Sequence, residues 1–243
     1  MEPKRRERKV SKKKMLMKLA RKYWFVGAAA LGLVLAVVLG IGLITGLNKY
    51  KEPVKLEQKA YNAKTPDDMM DASLEQLNGL CEKEMKTIMK LMKDTDEYGY
   101  LTDNYIYFIS NLTDNAGENY KVKIKTTDKE KLDEDVLETM QLHIELLAQQ
   151  FLDRADHLEE NKSDFEDKWD LSSKDMDKLI KAYRKIGKTL EKAKVTKGYE
   201  LELEMKIKGS LLDEPTEATR SCKIYKIGGK WVSADALDTL HIF

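Results

Sequence analysis

The chain has 243 residues, 42% hydrophobic and 35% charged, with four prolines and thirteen glycines. That length suits one sizeable domain plus appendages, at roughly 100–200 residues per domain, and the composition excludes wholesale disorder and collagen-like architecture. The net charge of +1 hides a basic head on an acidic body: residues 1–23 hold eleven Lys/Arg against two Glu, leaving 32 basic against 40 acidic residues over 24–243.

Residues 1–23 read as a cytoplasmic tail. Lys12, Lys13, Lys14, Lys18, Arg21 and Lys22 surround Met15, Leu16, Met17 and Leu19, a pattern for a short amphipathic helix on the inner leaflet. Each such charge is worth about 1 kcal/mol near anionic lipid. A pure topology signal and a nucleic-acid tail are the other readings. Orientation plus lipid attraction accounts for the charges, so no nucleic-acid partner is expected. So short a tail buries no core, which excludes a cytoplasmic enzyme within it.

Trp24 to Leu47 contains no charged residue. As a helix this stretch spans about 36 Å, enough for a hydrocarbon core of about 30 Å. It exceeds the usual signal-peptide core of about 7–15 residues, and no small-x-small cleavage pattern follows. The expectation is a retained signal anchor in the cell membrane, amino terminus cytoplasmic and residues 48–243 outside. Ala28, Gly32, Ala36 and Gly40 recur every fourth residue. They read either as a seam for a homodimer of spans or as the ordinary small-residue content of membrane helices.

Residues 48–64 lack a steady period and carry Pro53, so they read as a stalk ahead of an outer domain over 65–243. Thr65-Pro66-Asp67-Asp68 supplies a helix start, and Met70, Leu74, Leu77, Cys81, Met85, Ile88 and Met92 keep one helical stripe to about Asp94. Tyr105 to Ile109 and Tyr120 to Ile124 read as two strands joined by a loop at Asp114-Asn115-Ala116-Gly117. The nearby Tyr98, Tyr100, Tyr105 and Tyr107 are then either half-buried strand residues or a sugar platform.

Asp133 or Asp135 opens a helix through Val136, Leu137, Met140, Ile144, Leu147 and Phe151 to about Glu159. Ser172 to Asp175 has capping-box spacing and opens another, with Met176, Leu179, Ile180, Tyr183, Ile186 and Leu190 on its apolar stripe. Tyr199, Leu201, Leu203, Met205 and Ile207 alternate with Glu and Lys, which is a half-buried strand. Ser221–Ile227 and Lys230–Ser233 pair through Gly228-Gly229. Helices covering an antiparallel sheet make an α+β domain.

Val195-Thr196-Lys197-Gly198-Tyr199 and Tyr225-Lys226-Ile227-Gly228-Gly229-Lys230-Trp231-Val232 resemble the closing strands of cystatin-like/NTF2-like domains, with Gly228 where an aspartate is usual. Such domains occur outside Gram-positive bacterial membranes on lipoproteins and signal-anchored proteins. The resemblance implies that fold, an envelope location and a core position for Trp231. It carries over no catalytic residue.

Chemistry is sparse. His143, His157 and His241 have no zinc spacing, and no P-loop, GxGxxG, GxSxG or HExxH is present. No cofactor and no metal are expected. Cys81 and Cys222 are either a disulfide, if the first helix packs on the last sheet, or two buried free thiols. The expected function is a non-catalytic, membrane-anchored envelope protein whose outer domain binds a partner protein, wall component or small ligand. The alternatives are a scaffold similar to conjugation and type IV secretion proteins, an NTF2-like enzyme with a carboxylate in a cone pocket, and a signal relay through paired spans.

Overall fold

A computed structural model describes residues 49–238 and 240. A 3-10 turn over Lys49–Lys51 leads into α1 (Glu52–Tyr61), α2 (Pro66–Glu75), α3 (Glu82–Met92) and α4 (Asp96–Ala116). Strand β1 (Lys121–Lys131) precedes α5 (Glu134–Glu160), α6 (Lys162–Trp169) and α7 (Ser173–Glu191). The chain closes with β2 (Val195–Lys208), β3 (Thr216–Ile227), β4 (Lys230–Ser233) and α8 (Ala234–Asp238). The fold is α+β, with helices on a four-stranded antiparallel sheet of order β1-β2-β3-β4.

The basic tail, the apolar run and the seam of Ala28, Gly32, Ala36 and Gly40 lie outside the described residues. Among the described residues no helix is long and apolar enough to cross a membrane.

The alternation in β2 does what period two demands: Leu201, Leu203 and Met205 are buried while Glu202 is exposed. Register carries that face to the neighbours, with Leu201 opposite Cys222, Tyr199 opposite Ile224 and Ile124 opposite Met205. Gly228 and Gly229 take φ of 55° and 83°, the positive pair that a two-residue hairpin needs. Thr65 accepts the Asp68 N–H and Ser172 accepts the Asp175 N–H, as expected of those two helix starts, while Asp133 precedes α5 without a side-chain cap bond. Helices α5 and α7 cross closely at Gly187, where an added Cβ would stand 2.9 Å from the Ala148 carbonyl oxygen.

Four expectations are corrected. Residues read as a stalk form α1, whose Pro53, Val54, Glu57 and Ala60 are buried. The single helix expected from Met70 to Met92 is two, because Asn78 (φ 51°), Gly79 (φ 79°) and Cys81 (φ 61°) turn the chain through left-handed backbone. Tyr105 to Ile109 is not a strand but part of α4. There Tyr98 and Tyr105 pack on the helical core and Leu112 on the sheet side, a helical spacing that overrides the β preference of the aromatics. Tyr107 is 76% exposed while Tyr98 and Tyr105 pack on the helical core, so these three share no platform. Trp231 is half-buried, stacked on Tyr199 with ring centroids 5.4 Å apart, rather than filling the core.

Helix α1 closes the sheet. Strand β1 is an edge, and its outward backbone groups would be left without partners under a helix. Asn62, just past α1, accepts from the Val122 N–H at 2.9 Å and donates to the Val122 carbonyl at 2.8 Å, and Gln58 accepts from the Ile124 N–H at 2.8 Å. At the opposite edge Asn78 donates to the Trp231 carbonyl at 2.9 Å. Side-chain amides therefore stand in for a neighbouring strand at both edges. Asn62→Ala leaves both Val122 groups unpaired and is expected to cost about 1–3 kcal/mol in urea unfolding. Faster hydrogen exchange at Val122 and Ile124 should accompany the loss, and unchanged exchange there would refute the edge-closing role.

Candidate functional site

The inner face of the sheet, under α1, carries one charged cluster in an apolar setting. Val54, Leu201, Leu203, Cys222 and Ile224 form the core there, with Tyr199 and Trp231 packed against it. Positions 54 and 57 fall on the same side of α1, so the helix that buries Val54 also buries Glu57, which is 4% exposed. Arg220 on β3 sits opposite Leu203, on the face shared with Cys222 and Ile224. Its guanidinium donates to the Glu57 carboxylate and, at 2.9 Å, to Asp235 of α8. One arginine thus ties three elements together.

Burial dominates the electrostatics. Desolvation outweighs the attraction of Arg220 and, with Asp235 repelling, pushes the Glu57 carboxyl from 4.5 to about 7. Burial also opposes charge on Arg220, but Glu57, Tyr61 and Asp235 together hold its pKa above the usual value. The neighbouring Tyr61 hydroxyl is raised, chiefly by burial, and the Cys222 thiol is pushed up to about 12 by burial and by the acids. Chemically the cluster is a carboxyl that titrates near neutrality, held against a permanent cation and covered by a helix.

At one end of the same face lies an aromatic stack. Tyr199 stacks on Trp231, Tyr50 packs on Tyr199 at 5.6 Å, and Lys129 stands over both tyrosine rings at 4.6 and 4.7 Å. The outer face is different: Asp128, Glu130, Glu200 and Glu202 line an open groove of about 480 Å³. Among the described residues no group of His, Cys, Asp and Glu could hold a metal ion. His157 packs edge-on against Phe165 and contacts the Asn161 amide, a structural role.

Cys81 and Cys222 are both buried and free. Of the two readings of the sequence the free thiols are the one observed, because the cysteines sit in separate clusters. Cys81 lies in the helical core and Cys222 on the inner sheet face. Burial pushes the Cys81 thiol to about 12 as well, which suppresses the reactive thiolate.

Neither Glu57 nor Arg220 stood out in the sequence. Signals existed for both: an acid three residues after Val54 on the buried side of a helix, and an arginine in phase with Cys222 and Ile224. Compared with protein families, characterised proteins and solved structures, the chain matches none.

Between pH 4.5 and about 7 the folded chain holds the Glu57 proton more tightly than the unfolded chain does. Stability from this group therefore falls as pH rises through that window and is flat above it, a change on the order of 3 kcal/mol. Glu57→Gln keeps an acceptor for Arg220 but cannot titrate, so its urea midpoint should lose that slope. An identical slope in the variant would remove Glu57 as its source. In denaturant without reductant, both thiols should react with a thiol reagent, and in the native chain neither should react quickly. Reaction only after reduction would establish a bridge.

Proposed function

We propose that this chain is a non-catalytic, membrane-anchored envelope protein. In this reading the basic tail stays in the cytoplasm, one span crosses the membrane, and the α+β domain outside acts by binding a partner protein, wall component or small ligand. The observation that carries the anchor is the uncharged stretch Trp24–Leu47 behind eleven Lys/Arg. A cystatin-like/NTF2-like assignment of the domain belongs to the same reading, and its support is the Tyr225–Val232 hairpin sequence.

What supports binding rather than catalysis is the state of Glu57. A carboxyl titrating near pH 7 is what acid–base chemistry would use. This one is 4% exposed and bonded to Arg220. Tyr199, Leu201, Leu203 and Trp231 occupy the face beneath α1, so a substrate has no approach to the carboxyl. The network holds α1, β3 and α8 together instead.

Protease added to intact cells should digest the part of the chain after Leu47 and spare an epitope on the tail. A C-terminal portion untouched until the cells are lysed, or a mature chain beginning beyond Leu47, would overturn the anchored reading.

A further inference from the structure

Lysines stand at positions 174, 178, 181, 185, 188 and 192, along α7 and at its end, spaced by four, three, four, three and four residues. At 3.6 residues per turn that spacing makes one straight stripe about 27 Å long. It lies diametrically opposite the face that buries Met176, Leu179, Tyr183, Ile186 and Leu190, and all six lysines are exposed.

The stripe is electrostatically unfavourable on its own. Like charges at i,i+3 and i,i+4 destabilise a helix. Lys178 is relieved by Asp175 at 2.6 Å and Lys185 by Glu84. Lys181, Lys188 and Lys192 form no ion pair among the described residues. These three line a groove of about 880 Å³ with Ile180 at its floor. Its rim is held by paired charges, Arg184 to Asp156 at 2.7 Å and to Glu159 at 2.5 Å, and Lys162 to Asp177 at 2.5 Å. The body of the chain is acidic, with 40 Asp/Glu against 32 Lys/Arg over 24–243, so general composition does not explain a cationic line of this length.

We propose that this groove binds a linear polyanion of repeating phosphate groups, laid lengthwise along α7. Lysine binds phosphate as a compact point charge, without the planar fork that grips one carboxylate or phosphate bidentately, and a row of such charges suits a polymer whose anions repeat without fixed orientation. Four of the six lysines line the groove itself, and a groove takes a chain in preference to a plane of lipid headgroups. The proposal rests on the reading of the domain as a binding module and names the chemistry of its partner.

The test uses the full chain in neutral-lipid nanodiscs, with medium-chain inorganic polyphosphate as probe and affinity measured against salt. A variant carrying Lys181→Gln, Lys188→Gln and Lys192→Gln should bind about tenfold more weakly. Its slope of log affinity against log salt should be shallower by about two, at roughly 0.7 per charge for a single strand. Its melting temperature should stay the same or rise, since repulsion is relieved. A second variant with Lys12→Gln, Lys13→Gln and Lys14→Gln controls for the tail and should leave the effect of the α7 substitutions intact. Loss of binding only in the tail variant, equal binding by the α7 variant, or stripe-dependent binding to anionic vesicles in preference to polyphosphate would each overturn the proposal. Protease digestion of intact cells reads the domain's location separately, so an exposed domain that ignores polyphosphate refutes only the phosphate chemistry.

Discussion

A four-stranded meander has two free edges and an apolar face, and in this protein α1 closes one edge and that face together. Gln58 and Asn62 bond to the β1 backbone, while Val54 covers Leu201 and Leu203. Each fully buried aliphatic side chain there contributes about 1.5–3 kcal/mol, and each satisfied backbone group avoids a comparable penalty. The helix that looked like a connector is therefore a condition for the sheet. Asn78 serves the opposite edge from a turn whose left-handed backbone also splits α2 from α3.

Under α1 the protein keeps a charged group where an apolar one would pack more cheaply. A hydrophobe of similar volume at Glu57 would leave the part-buried Arg220 with Asp235 as its remaining carboxylate partner, so the cost of that change falls on the tie between α1 and β3. Retaining both gives α1, β3 and α8 a shared electrostatic tie. With the Glu57 carboxyl near neutrality, the strength of that tie depends on protons. The aromatic stack of Tyr50, Tyr199 and Trp231 with Lys129 seals the end of the same layer.

Much of the α+β fold was legible. The alternation of Tyr199 to Ile207, the Gly228-Gly229 hairpin, the Ser172 cap and the long apolar stripe through Ile144, Leu147 and Phe151 all form the elements their periods indicate. The misread segments share a cause. Asp96–Ala116 is rich in Tyr, Ile and Phe, and its helical state depends on packing against α2 and the sheet side rather than on residue preference. Asn78, Gly79 and Cys81 interrupt a stripe whose apolar spacing runs straight through them, since a turn can keep both sides of a break in the same core.

The sequence by itself determined the charge partition, the uncharged run, the alternating strand β2 and the helices α5 and α7, because each rests on period or composition over ten or more residues. Only the tertiary structure decided that residues 52–61 belong to the domain, that Cys81 and Cys222 stay apart, and that Glu57 meets Arg220 and Asp235. Each of those facts joins positions far apart in the chain. Local pattern constrains which face a residue takes, but contact across elements is set by how the faces are stacked.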